Sequence, residues 1–358
     1  MIPLLDKLKV FTKLKGKLNK EKISVGLDIG TSSVKLVKLK SNNGSVQLCD
    51  FNQIPVSSSG IDAVLKELAQ TENIKDVNIS VSGHSTIIRY VNFPKMNPEE
   101  LNQALKFEAQ KLIPFPINEI NLDNYILKPD LPDNKMLLLL AAVKKEFLNQ
   151  RLKLLEAAGI NANIVDIDSL ALVNAFNFNH SKESDDLKNK TVAVLNIGSS
   201  ISNLNLLDNF LPCLSRDIKT AGNNFTKKII DTLGVDLPTA EDLKINPEKD
   251  KSSKLAGVME QVITNLATEI RTSFDYYESQ CPSTVSKIYI SGGGSLLKGL
   301  KESLNSMLDI EVAYWDAFSN IEVPDAGAPN SEKLNTVKNN ALALSPVLSV
   351  AVGLALRQ

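Results

Sequence analysis

Val25-Gly-Leu-Asp-Ile-Gly-Thr-Ser-Ser-Val-Lys35 decides how the rest of this chain is read. An apolar run meets Asp28, then a turn of small hydroxylated residues, then Lys35 in a second apolar run from Val34 to Leu39. The pattern predicts two strands joined by a tight turn at Gly30. There the missing Cβ leaves the backbone N–H groups of Thr31, Ser32 and Ser33 free to face an anion. Lys35 supplies a compact positive charge suited to phosphate. Asp28 suits a magnesium ion that keeps much of its water shell. Each has a plainer reading, since a lysine opening a strand is usually solvated and an aspartate before a turn usually bonds its own backbone.

Two further glycine turns repeat the theme. Asn196-Ile-Gly-Ser-Ser-Ile-Ser202 joins the predicted strands Val192–Asn196 and Ile201–Leu207, with Gly198 and Ser199 facing phosphate. Ile288-Tyr-Ile-Ser-Gly-Gly-Gly-Ser-Leu-Leu-Lys-Gly-Leu300 follows a strand and is expected to open a helix, so that Gly292, Gly293 and Gly294 bring backbone and a positive helix end to a nucleotide. One such turn is weak evidence. Three in this order, on two similar halves, point to a nucleotide cleft.

The remaining features bound the class. A chain of 358 residues is long enough for two lobes, and its net charge of −1 gives no reason to expect nucleic acid. The 3 cysteines are scattered and the 2 histidines stand apart from them, which argues against metal–thiolate sites, a disulfide framework and histidine catalysis. No apolar run approaches the roughly 20 residues that cross a bilayer. In Ile2 to Lys22, leucines and Phe11 recur at near-helical spacing among seven lysines, as in a helix lying on anionic lipid or on a partner, or equally a solvated tail. Asn97, Pro98, Glu99 and Glu100 announce a helix that Pro114 ends. The stripe Val258, Val262, Leu266, Ile270, Phe274 and Tyr277 reads as the buried face of the longest helix.

On these motifs the sequence resembles the actin-like ATPase superfamily, α/β proteins of two lobes built on duplicated ribonuclease H-like domains. Within it the chain is similar to the PilM family of type IV pilus assembly proteins. Leu112-Ile-Pro-Phe-Pro-Ile117, Asp123-Asn-Tyr125 and Gly353-Leu-Ala-Leu-Arg357 carry that closer likeness. The resemblance implies ATP with Mg2+ as ligands. It places Asp28 at the metal and the residues from Gly30 to Lys35 on the first phosphate group. It adds Gly222 and Asn223 at a glycine turn, Leu296 in the adenosine motif, and Glu241 and Lys244 reaching ribose and adenine. The last pair is equally an ordinary helix-surface i,i+3 ion pair. Asp168 lies where relatives orient the attacking water, and is equally suited to cap a helix.

The family pattern has aspartate at the second phosphate turn, where this chain has Asn196. An amide brings no negative charge, so bound ATP is expected to turn over slowly or not at all. The expected division of the chain is a basic segment 1–22, lobe I core 23–86 and 163–190, and an inserted β-α-β-β-α subdomain (1C) at 87–162. Lobe II core then takes 191–221 and 283–340, subdomain IIB 222–282, and a helix returning to lobe I 341–358. The resemblance further implies a cytoplasmic scaffold peripheral to the inner membrane. It would bind the N-terminal tail of PilN beside subdomain 1C, linking the PilN/PilO complex to the pilus motor ATPase. Self-assembly is compatible with the fold. Two alternatives stand beside this reading, an actin-fold small-molecule kinase and an FtsA-like cell-division protein.

Overall fold

The computed structural model describes residues 22–42, 44–56, 60–180, 187, 189–249, 253–323 and 344–357. The expected basic segment (apart from Lys22), the loop at 324–340 and most of the polar break at 181–188 lie outside the described residues.

The opening stretch folds as β1 (Lys22–Ile29) antiparallel to β2 (Ser33–Asn42), which pairs antiparallel with β3 (Ser45–Pro55). Helix α1 (Gly60–Thr71) buries Val64, Leu65 and Leu68 on one face and returns the chain for β4 (Asp76–Val81), parallel to β1. The chain then leaves this sheet. β5 (Thr86–Pro94), α2 (Pro98–Leu112), β6 (Ile120–Leu131) and β7 (Lys135–Lys144) form a second layer, with strand order β5-β7-β6. Helix α2 begins with a capping box. Asn97 Oδ1 accepts the Glu100 N–H (2.9 Å), and the Glu100 carboxylate accepts the Asn97 N–H (3.2 Å). Helix α3 (Lys145–Ala157) packs against α1, β7 and β8 (Asn161–Ile167), and β8 closes the first sheet parallel to β4.

Lobe II repeats the plan. After α4 (Asp168–Asn179) come β9 (Thr191–Ile197), β10 (Ser202–Asp208) and β11 (Leu211–Ile218), then α5 (Gly222–Leu233), α6 (Leu237–Ile245) and α7 (Ser253–Gln280). β12 (Val285–Ser291), α8 (Leu300–Leu308) and β13 (Glu311–Tyr314) complete it, and α9 (residues 344–355) follows, its Leu354 carbonyl accepting from Asn78 Nδ2 of β4 in lobe I. The two main sheets have the orders β3-β2-β1-β4-β8 and β11-β10-β9-β12-β13. In each, three antiparallel strands lead into two parallel ones, so the duplication suggested by two glycine turns extends to whole sheets. All six apolar residues of the α7 stripe are buried in the lobe II core.

Two strands escape the sequence reading. β8 is mostly polar in its first half. β11 carries Pro212, which edge position tolerates because one side of the strand makes no ladder bonds. The triple glycine also differs from expectation. It forms a single 3-10 turn (Gly293–Leu296), and α8 starts only at Leu300 after Gly299 in the left-handed region (φ +78°).

Between the lobes lies a shared core. α4 and α9 supply Ala171, Phe176, Leu348, Val352 and Leu354, and β2 and β9 contribute Val37, Leu39, Val192 and Val194. The chain's end is fixed to lobe I: Arg357 pairs with buried Asp166 at 2.6 Å, and its carbonyl accepts from Asn78 Nδ2 (2.8 Å) and Ser24 Oγ (3.1 Å).

Asp123 sits on β6 with Ala141 and, through it, Ile88 in the same row of the inserted sheet. Its Oδ1 accepts the Asn124 N–H, while Oδ2 is buried without a partner among the described residues. Removal from water pushes its pKa from 3.8 up to about 6. A carboxyl whose folded value is raised favours folding fully below the unfolded value, near 4, and that contribution is lost as pH rises through 6. Asp123→Asn is therefore expected to stabilise the protein at pH 7.5 by roughly 1–3 kcal/mol and to flatten its pH dependence between 4 and 6. Denaturant titrations across that range check this, and an unaltered pH slope contradicts it.

Candidate functional site

The turns at the C-terminal ends of β1 and β9 face each other across the gap between the lobes. In the first, the Gly30 N–H donates to Ser33 O (3.2 Å), which leaves Thr31 and Ser32 at the tip, while Ser33 is buried at the head of β2. In the second, the Gly198 N–H donates to Ile201 O (3.0 Å), leaving Ser199 and Ser200 at the tip. Thr31 Oγ1 lies within hydrogen-bonding distance of Ser199 Oγ and 2.8 Å from Ser200 Oγ, although 168 residues separate the two turns. Two sheets of the same topology thus deliver two hydroxyl-rich turns to one point.

Lys35 and Asp28 lie at the base of the first turn, where a Cβ on Gly30 would stand 3.0 Å from Lys35 Nζ and 4.0 Å from Asp28 Oδ1. They stand opposite each other in the β1–β2 register and pair at 3.0 Å, both largely buried. The solvated reading of Lys35 is thereby set aside. A phosphate entering the gap would compete with Asp28 for the ammonium, and Asp28 would then be free for a hydrated cation.

Asp168 is the first helical residue of α4, not its cap; Ile167 occupies the cap position, with no side-chain cap bond. Burial pushes the Asp168 pKa up to about 6, the nearby Asp28 carboxylate acts in the same direction, and the facing Ser80 and Ser82 hydroxyls oppose the rise. Arg151 of α3 belongs to the same group. Burial lowers its pKa, while Asp168 and Asp28 act to raise it. Only the amphipathic pattern of α3 marks Arg151 in the sequence.

Asn196 is buried on β9. Its Nδ2 donates to Asn203 Oδ1 (3.1 Å), and its Oδ1 accepts from Ser291 Oγ (3.5 Å). Asn203 Nδ2 in turn donates to Asp217 Oδ1 (2.8 Å), so the nearest carboxylate in this network stands two strands away, on β11. Asp217 and Asn203 were not read from the sequence as site residues, and no spacing signals them because they meet only by strand pairing.

The third turn closes on the second. Gly292 takes φ +84° and ψ 161°, and a Cβ there would lie 2.4 Å from Ile197 O. Among the described residues, nothing lies within 4 Å of a would-be Cβ on Gly293, and the Leu296 side chain in the same turn is exposed. Gly222 and Asn223 behave differently, because their N–H groups donate to Gly198 O (3.0 Å) and Ser199 O (2.7 Å). The start of α5 therefore supports the second turn and does not offer these donors outward. Glu241 and Lys244 pair at 2.7 Å, and both reach Thr226, with Lys244 Nζ 2.8 Å from its hydroxyl. They tie α6 to α5.

Hydroxyls and an ammonium fit a phosphate chain. Among the described residues no group of three or more His, Cys, Asp or Glu side chains is placed to hold a metal by itself. Among them, too, no helix is long and apolar enough to cross a membrane.

The profile of the family "Type IV pilus assembly protein PilM" matches residues 26–358, nearly the whole chain. The chain belongs to the PilM family. A solved PilM–PilN type IV pilus biogenesis complex is similar to it at 26% identity, covering 93% of this chain and 98% of that one with a TM-score of 0.79. The ethanolamine utilization protein EutJ from Carboxydothermus hydrogenoformans shares the fold at 14% identity and a TM-score of 0.53, covering 99% of this chain and 98% of that one. Membership of the PilM family favours neither the kinase nor the cell-division alternative.

Proposed function

We propose that this PilM-family chain is a nucleotide-binding scaffold of type IV pilus assembly that holds the N-terminal tail of PilN beside its inserted subdomain. The observation that carries the nucleotide half is the meeting of Thr31 with Ser199 and Ser200, with the Lys35–Asp28 pair at the base of the first turn. Backbone N–H groups of the first two turns, with Lys35, would hold the phosphates. Gly293, Leu296, Glu241 and Lys244 would border the nucleoside. Mg2+ would be held by phosphate oxygens and water, with Asp28 and Asn196 bonding its water shell; the ion supplies charge neutralisation to the phosphates. Asp168 would orient water as a carboxylate above about pH 6. With an amide at position 196, hydrolysis is slow or absent, and the nucleotide acts through its preference for one arrangement of the lobes.

The partner half rests on the PilM–PilN relative and on a cavity of about 610 Å³ at the end of α2, lined by Gln110, Phe115, Pro116, Ile117 and Asn118. Phe115 and Ile117 offer apolar surface, and Lys144 sits 4.6 Å from the Phe115 ring centre. Such a site suits a short extended segment with apolar side chains. The chain would sit at the cytoplasmic face of the inner membrane, connecting PilN and PilO to the motor. Titration of a synthetic PilN N-terminal peptide into the protein tests this. Ile117→Asp is expected to weaken binding at least tenfold with the fold intact by circular dichroism. No binding to the unaltered protein, with or without nucleotide, contradicts the reading.

A further inference from the structure

Two edge strands from different lobes meet in this fold. β11 borders the lobe II sheet, and β5 borders the inserted sheet. Ser215 and Asp217 lie two apart on β11 and so project from the same side of the strand. Both bond across to the insertion or to the turn leading into it. Tyr90 of β5 places its phenol oxygen 2.8 Å from Ser215 Oγ, and Asp217 Oδ2 accepts the Gly83 N–H at 2.9 Å.

With Ser215 Oγ donating to Asn205 Oδ1 at 2.6 Å, the Tyr90 hydroxyl is the donor to Ser215. Burial raises the phenol's pKa, which keeps that proton in place. Gly83 O accepts from both the N–H (2.8 Å) and the hydroxyl (2.9 Å) of Thr86, the first residue of β5. Gly83 has φ +90°, and a Cβ on it would stand 3.0 Å from Ile201 Cδ1 in the second phosphate turn. On the other side, Asp217 continues through Asn203 to Asn196. A continuous set of hydrogen bonds therefore runs from Asn196 to the head of β5. Tyr90 stands in one row with Leu139 and Tyr125, which spans the inserted sheet.

We propose that Tyr90–Ser215 and Gly83–Asp217 form an inter-lobe latch that couples the nucleotide cleft to the peptide-binding subdomain. The proposal rests on the functional reading above and names the regulation of its two sites. A shift of lobe II that accompanies nucleotide binding changes the position of β11, and both bonds break or reform with it. The inserted sheet then responds to the state of the cleft. Coupling of this kind is reciprocal: each ligand alters the other's affinity by one common factor.

The experiment measures four dissociation constants on the full chain by calorimetry: ATP·Mg2+ alone, PilN N-terminal peptide alone, and each in saturating amounts of the other. The unaltered protein is expected to show the same factor in both directions, roughly five-fold or more. Tyr90→Phe and Ser215→Ala remove single hydroxyls outside the phosphate turns and the peptide cavity. Each variant should bind either ligand alone within twofold of normal, with the coupling factor at least halved, the Gly83–Asp217 bond being left in place. A factor of one in the unaltered protein, or a full factor in both variants, overturns the latch while leaving the two sites standing. Failure of either ligand to bind the unaltered protein overturns the functional reading and the latch with it. Circular dichroism and thermal melts establish that the variants are folded, and a variant that is not is replaced by Ser215→Gly or Tyr90→Leu in the same measurement.

Discussion

Gly353→Ala is expected to lower the melting temperature by roughly 5–10 °C, through a loss of about 3 kcal/mol or more. Gly353 lies where α9 crosses α4, and a Cβ there would stand 1.9 Å from Ala171 O and 2.5 Å from Ala171 C. Both clashing atoms are backbone, so no rotamer change relieves them and the helices must separate. Separation opens the core shared by the lobes, in which Leu348, Val352, Leu354 and Phe176 are buried. It also weakens the Asn174 Nδ2 bond to Gly353 O. The same substitution at Gly257, on α7 with open space around its would-be Cβ, should instead stabilise by about 1 kcal/mol through helix propensity. Thermal melts of the two variants should shift in opposite directions. Equal shifts would mean that the α4–α9 approach does not set the stability of this region.

The second large effect falls on the third glycine turn. Gly292 has φ +84° and ψ 161°, a region open to glycine almost alone, and a Cβ would lie 2.4 Å from Ile197 O and 2.7 Å from Asn196 Oδ1. Gly292→Ala combines backbone strain with overpacking, together about 3–5 kcal/mol. It should also push the third turn away from the second and reduce nucleotide affinity at least tenfold. Gly293→Ala meets no atom within 4 Å and should leave stability within about 0.5 kcal/mol. Any loss of nucleotide affinity in that variant then reports direct approach of the ligand to the backbone. Denaturant unfolding and nucleotide titration on both variants separate the two effects.

The fold was legible where local pattern and tertiary role coincide. Val25 to Leu39 sets two apolar runs around one tight turn, Asn97-Pro98-Glu99-Glu100 spells a helix start, and the apolar spacing of α7 marks its buried face. β8 and β11 were not legible because each takes its place from a neighbouring strand and not from its own composition. The turns themselves could be found because a glycine and small hydroxylated residues are local features. What surrounds them could not. Asp217 enters through strand pairing, Arg151 through the packing of α3, and Gly83 through contact between lobes. Glycines at 222, 292 and 294 resemble one another in sequence, yet their surroundings give them different tasks. Gly222 bonds a neighbouring turn, whereas Gly292 and Gly294 let the third turn close on Ile197.

Calorimetric titration of ATP and ADP, each with magnesium, into the purified full chain tests the central claim that three separated turns enclose a single nucleotide. The account predicts saturable binding at one site per chain, with little or no phosphate released over the course of the titration. Absence of heat for both nucleotides at millimolar concentration, with the protein folded, would contradict it.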